Sequence, residues 1–197
     1  GILKTPGSMG FDIVVAEGQS MGSSLSFGGP TVGWFATKKE LARLVPGRII
    51  GESRDANNTK TYVMTLRARE QDIRREKASS NICTNQTLNA VGSTIHLSWL
   101  GPQGLYEIGY QAIQKASYMK QQLIDSNFTI SNPNNSLREF IVQTRRPAKE
   151  VIIEMGPKGF LAGIKYSENS ILIAVTEKRT KEEIDSYVKA LLEVDHV

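Results

Sequence analysis

A glycine-rich segment between two short apolar runs limits most sharply what this chain can fold into. From Gly18 to Gly33 there are five glycines (Gly18, Gly22, Gly28, Gly29 and Gly33), one proline (Pro30) and four serines. Glycine reaches left-handed backbone at no steric cost and lets other groups approach the main chain closely. A loop this long inside a compact domain usually exists for function. Before it, Phe11 to Ala16 is rich in β-branched residues and reads as a strand buried on both faces of a mainly parallel sheet. After it, Val32 to Thr37 reads as a second strand. Thr37 then starts a helix, Lys38 to Val45, which Pro46-Gly47 ends.

Further along, Arg48 to Glu52 and Thr61 to Thr65 flank the turn-forming Asp55-Ala56-Asn57-Asn58 and predict a β-hairpin. Leu66 to Lys77 is crowded with charge and polar nearly all round, as in a solvated or interface helix. Two helical stripes follow, Leu88, Val91, Ile95 and Trp99, then Leu105, Ile108, Ala112, Ala116 and Met119, divided by Gly101-Pro102. After the Asn132-Pro133-Asn134-Asn135 turn the pattern is strand Glu139 to Thr144, helix Ala148 to Met155, strand Ile171 to Val175 and helix Lys181 to Glu193. That is a small α/β unit.

The chain has 197 residues, 40% of them hydrophobic and 22% charged, which suits a globular protein with a core and argues against disorder. No apolar run approaches the ~20 residues of a membrane-spanning helix. The lone Cys83 forms no internal disulfide and fits a reducing, cytoplasmic setting. A net charge of +4, with both signs mixed along the chain, gives no footprint for nucleic acid. Residues 1–8 read as a cloning remnant ahead of Met9, residues 9–84 as the end of a large domain, and residues 85–197 as a helical connection plus a small α/β domain.

The inventory excludes several chemistries. His96 lies mid-helix and His196 at the terminus, and neither has a partner at metal-ligand spacing. No serine lies in a Gly-x-Ser-x-Gly elbow, and Cys83 has no evident base. The glycine loop is neither a Walker loop nor a dinucleotide fingerprint, yet Gly28-Gly29 could present backbone N–H groups to an anion. A tight loop packed on neighbouring backbone accounts for the same residues equally well.

Four segments taken together resemble a known family: Glu17-Gly18-Gln19-Ser20, Ser26-Phe27-Gly28-Gly29-Pro30, Pro46-Gly47-Arg48-Ile49-Ile50-Gly51 and the run from Arg69-Glu70-Gln71 to Ile82-Cys83-Thr84. With Thr176-Glu177-Lys178-Arg179-Thr180 near the end, they are similar to the P-protein of the glycine cleavage system. The order matches the subunit of its two-subunit form that does not bear the cofactor lysine. The resemblance implies a fold-type-I pyridoxal-phosphate transferase-like α/β architecture, with the end of the large domain and the small domain in this chain.

It also implies a function: decarboxylation of glycine on pyridoxal phosphate, with aminomethyl transfer to the lipoyl group of the H-protein. In the lysine-bearing subunit a His-Lys-Thr triplet stands where this chain has Gly18-Gln19-Ser20, and an amide cannot form the imine. The chain is then expected to carry no catalytic residue of its own, to be inactive alone, and to pair with a lysine-bearing partner that holds the cofactor covalently. Lys38 and Lys39 fall in the wrong register to replace the missing lysine. Ser26, Gly28 and Gly29 become candidates for cofactor contacts across the interface, and Arg69, Arg74 and Arg75 for interface or anion pairing. The rival reading is a non-catalytic scaffold or binding protein on the same degenerate fold.

Overall fold

The computed structural model describes the chain apart from residues 46, 48, 66–74, 79–85 and 196–197. It forms two compact units, one from Leu3 to Leu100 and the other from Gly101 to Val197 with Gly1–Ile2. The sequence boundary expected at residues 84–85 precedes this division, which falls at Gly101.

In the first unit, Thr5 caps a 3-10 turn, Pro6–Met9, that closes on left-handed Gly10. Strands β1 (Ile13–Glu17) and β2 (Gly33–Thr37) then pair antiparallel, with Val15 opposite Phe35 and Ala16 opposite Trp34. The strand expected here forms, and its neighbour in sequence runs antiparallel to it. The pair is a two-stranded ribbon, and Ile13, Val15 and Phe35 are exposed. Without a crossover helix between them, successive strands pair antiparallel. An apolar run, moreover, records that a strand is suited to burial without saying what lies beside it.

The expected helix over Lys38 to Val45 is a 3-10 segment, Lys39–Leu44, with no side-chain cap at its start. The expected hairpin forms from β3 (Ile49–Arg54) and β4 (Lys60–Thr65). Its turn is held by Asp55, whose Oδ1 accepts from the N–H groups of Asn57 and Thr59, both at 2.9 Å, with Asn58 left-handed. Most of the charged Leu66 to Lys77 segment lies outside the described residues. Of its end, Arg75–Lys77 makes one 3-10 turn.

Helix α1 (Thr87–Asp125) is interrupted at Gly101, whose φ of 63° and ψ of −179° are non-helical. Its second piece opens on Pro102, where a missing N–H costs nothing.

The second unit is built on an antiparallel sheet of β5 (Thr129–Ile130), β6 (Glu139–Gln143), β8 (Ser170–Ala174) and β7 (Ile164–Ser167), in that order. The short β5 and β7 were not expected from sequence. Phe140 and Val142 of β6 and Ile171 of β8 are fully buried, facing α2 (Ala148–Met155), α3 (Lys181–Asp195) and the end of α1. Each such side chain contributes about 1.5–3 kcal/mol relative to exposure. Three polar clamps close this core. Buried Asp195 accepts from the N–H groups of Arg145 and Arg146, all at 3.0 Å. Lys120 donates to the Pro133 carbonyl at 2.9 Å and to Ser136 Oγ at 3.1 Å, and burial pushes its ammonium below the ordinary lysine value. Tyr187 donates its hydroxyl to the Ala162 carbonyl. Among the described residues no helix is long and apolar enough to cross a membrane.

Candidate functional site

The glycine-rich loop springs from the end of β1 and returns at β2, and its neck is tied by Glu17. The Glu17 Oε1 accepts from the Gln19 N–H at 2.8 Å and from the Val32 N–H at 3.3 Å, while the Gly18 N–H donates to the Val32 carbonyl at 2.7 Å. Gln19, at the position singled out by sequence, is thus fixed at its backbone by the strand end itself. Its own carbonyl accepts from Ser23 at 3.1 Å, which folds Gln19 to Ser23 into a turn.

Gly18 is buried directly beneath Trp34. A β-carbon at Gly18 would lie 2.3 Å from the indole Nε1, so no side chain fits unless Trp34 moves. Gly22, at φ 101°, sits against the first piece of α1, where its β-carbon would meet His96 and the Gly92 carbonyl. Asn89 on the same piece donates to the Thr31 carbonyl at 3.0 Å. The loop is therefore held at its neck and along one flank by Glu17, Trp34, Asn89 and His96; the sequence marked Glu17 only within the Glu17-Gly18-Gln19-Ser20 segment and gave the other three no role at this loop. The signal for Glu17 was present, since a carboxylate two residues before a turn amide is placed to accept from it.

Ser26, Gly28 and Gly29 form the far end of the loop. Ser26 and Phe27 are left-handed, with φ of 40° and 57°, a conformation rare in non-glycine residues. They present Leu25 and Phe27 outward, and Phe27 is fully exposed. The N–H groups of Gly28 and Gly29 both donate to the Leu25 carbonyl, at 2.9 and 3.1 Å, and Ser26 Oγ pairs with Ser24 Oγ at 2.6 Å. The donors that an anion nest would need are thereby engaged within the loop. Arg69 and Arg74 lie outside the described residues, and Arg75 is placed by its backbone alone.

Lys38 forms an ion pair with Asp12 at the ribbon's other end, a half-exposed contact that raises its pKa. In the second unit, the Thr176 to Thr180 segment runs from β8 into α3. Thr180 Oγ1 accepts from the Glu183 N–H at 3.1 Å and Glu183 Oε2 from the Thr180 N–H at 2.9 Å, a reciprocal helix cap. That part of the motif is architectural. A cleft of about 660 Å³ lies beside it, lined by Phe160, Val175, Arg179 and Tyr187 among others.

A family profile described as glycine cleavage system P-protein matches residues 1–191. The chain belongs to the P-protein family. The match opens at residue 1, so the eight residues that read as a remnant lie inside it. A relative from Staphylococcus haemolyticus (strain JCSC1435), named probable glycine dehydrogenase (decarboxylating) subunit 1, is 47% identical over 195 residues, covering 96% of this chain and 43% of that protein. One of the same name from Chlorobium phaeobacteroides (strain DSM 266 / SMG 266 / 2430) is 46% identical, covering 97% and 44%. A crystal structure of glycine decarboxylase (P-protein) of the glycine cleavage system, in inhibitor-bound form, superposes with a TM-score of 0.89 at 36% identity, over 98% of this chain and 45% of that one.

The chain therefore spans less than half the length of these P-proteins. Its mixed helix and sheet architecture is part of the fold-type-I, pyridoxal-phosphate-dependent fold of the family. The name subunit 1 places those relatives beside a further subunit. Around the loop, the residues of this P-protein chain do not fit covalent attachment of the cofactor. Gly18, Gln19 and Ser20 offer no primary amine to form an imine, and the Gly28 and Gly29 N–H groups are already bonded to the Leu25 carbonyl.

Proposed function

We propose that this chain is part of the non-lysine-bearing subunit of a glycine dehydrogenase (decarboxylating). The enzyme decarboxylates glycine and passes the aminomethyl group to the lipoyl group of the H-protein. One observation carries the division of labour: at the end of β1, where an imine-forming lysine would stand, the chain has Gln19, and Trp34 fills the space over Gly18. A His-Lys-Thr triplet there would need Gly18, Gln19 and Ser20 all changed and Trp34 displaced. Pyridoxal phosphate supplies the electron sink for loss of carbon dioxide when it is bound. It belongs covalently to the partner subunit.

What this chain contributes is a shaped and stiffened loop. The neck bonds of Glu17 and the packing of Gly22 on α1 hold Leu25 to Gly29 in one conformation, so little ordering entropy is lost when a partner subunit meets it. Ser26, Gly28 and Gly29 complete the partner's site by shape, with Phe27 as the contact. Arg69, Arg74 and Arg75 are the chain's candidates for pairing with partner carboxylates or an anionic ligand. The assembly works in the cytoplasm, in keeping with a lone thiol.

The test is exchange of the glycine carboxyl carbon with labelled bicarbonate. The mixture holds the full-length subunit, the lysine-bearing partner, pyridoxal phosphate and lipoylated H-protein, each omitted in turn. Exchange that collapses when this subunit is left out supports the reading. Exchange that persists without it sinks the enzyme role.

A further inference from the structure

The first piece of α1 has two differently employed faces. Asn89, Gly92 and His96 meet the glycine-rich loop, as described above. Leu88, Val91, Ile95 and Trp99 form a second stripe about 100° round the helix, at 3.6 residues per turn. All four are exposed, Leu88 and Trp99 at 82% and 83%.

The fourteen residues from Thr87 to Leu100 include no Asp, Glu, Lys or Arg. A helix without charge on any face belongs in an interior, because an ordinary surface helix keeps its charges on the face turned to water. A surface that is covered only part of the time is also kept polar enough to be stable when bare, whereas permanent interfaces resemble a core cut in half. The stripe is therefore built for a permanent neighbour.

Over 98% of its length this chain superposes on part of a glycine decarboxylase more than twice as long, of which it covers 45%. The longer polypeptide has over half its residues outside the shared span. We infer that the stripe Leu88, Val91, Ile95 and Trp99 is an internal docking surface, covered by the part of the same subunit that its relatives possess beyond the span of this chain. The covering segment presents apolar side chains to it, and neither the partner subunit nor a second copy is its occupant.

This inference rests on the shared span with the family and not on the proposed activity, and its test reads no activity, so either can fail alone. Hydroxyl-radical footprinting with mass spectrometry would follow oxidation of Trp99 in three samples: the 197-residue chain, the full-length subunit alone, and the full-length subunit with its partner. Each would be run at several concentrations. The expected result is rapid oxidation in the 197-residue chain and roughly tenfold protection in the full-length subunit alone, unchanged by concentration or partner, as for a side chain going from exposed to buried. Protection that arrives only with the partner would overturn the inference in favour of an intersubunit surface. Protection that grows with concentration would assign the stripe to a second copy. Equal oxidation in all samples would show that nothing covers it.

Discussion

Gly22 and His96 touch so closely that a β-carbon on Gly22 would lie 2.8 Å from His96 Cβ and 3.0 Å from the Gly92 carbonyl oxygen. This contact, and not the loop's glycine content as such, makes Gly22 irreplaceable: its φ of 101° is left-handed and the obstructing carbonyl belongs to a helix. Gly22→Ala is expected to destabilise the Leu3–Leu100 unit by about 2–4 kcal/mol, from backbone strain and overpacking together. Urea unfolding followed by Trp34 and Trp99 fluorescence reads this. A loss under about 0.5 kcal/mol would mean that the loop shifts freely off the helix.

Restoring the lysine alone is expected to fail. In Gln19→Lys the amine would stand at the strand end, but Gly18 stays under Trp34 and the Gly28 and Gly29 N–H groups stay bonded to Leu25. Mixed with pyridoxal phosphate, the variant chain should show no site-specific imine absorbance beyond that of its surface lysines. A saturable band absent from the wild type, and abolished by borohydride trapping mapped to residue 19, would contradict the degenerate-site reading.

Asp195 ends α3 with a carboxylate that receives N–H groups of Arg145 and Arg146 in a fully buried position. Those donors offset the unfavourable placement of an anion at a helix C-terminus. Asp195→Ala removes the carboxylate acceptor of these partly buried N–H groups and should cost about 2–4 kcal/mol in chemical denaturation. Asp195→Asn keeps one acceptor oxygen and should cost less. Equal effects of the two substitutions would show that volume rather than hydrogen bonding sets the loss.

The reciprocal cap of Thr180 and Glu183 predicts a smaller effect. Thr180→Ala should lower stability by about 1 kcal/mol, Thr180→Ser by a fraction of that, and Glu183→Gln by little, since glutamine can also accept from the Thr180 N–H. The order of the three midpoints is the check.

Tyr187 sets an alkaline limit. Burial pushes its hydroxyl well above the ordinary tyrosine value of 10.0, so the folded protein keeps a proton that the unfolded chain releases. With fewer protons bound by the unfolded state, stability declines as pH rises past about 10, by up to about 1.4 kcal/mol per pH unit. Below that pH this group contributes no slope. Tyr187→Phe, whatever its cost at neutral pH, should show a shallower decline above pH 10. Parallel curves would remove the tyrosine from the explanation.

The parts of the fold that could be read beforehand are those whose causes are local. The Asp55 to Asn58 turn bonds within itself, α2 and α3 carry apolar positions at helical spacing, and Gly101-Pro102 interrupts α1 by its own dihedral preferences. The parts that could not are those decided by neighbours. Val15 and Phe35 have the character of a central sheet, yet they pair as an exposed ribbon whose surroundings the apolar pattern does not name. Strand β5 has two residues and β7 is exposed throughout, so neither leaves a periodic trace. At the site, Gln19 stands out in the sequence because it departs from a pattern known from a family. Trp34 over Gly18 does not, because the two residues are far apart in sequence and meet only through the β1–β2 register.

The break at Gly101 has a consequence for how such a polypeptide can be dissected. Because Pro102 opens the second helical piece at a position where it needs no N–H partner, everything from Gly101 onward brings its own start signal. A gene cut at that codon would hand the downstream unit a ready-made beginning. The same cut would leave the upstream piece as a charge-free helix ending in Trp99-Leu100, a tail prone to cling to whatever apolar matter it meets. Of the two halves of α1, the one worth expressing by itself is the one that follows the glycine.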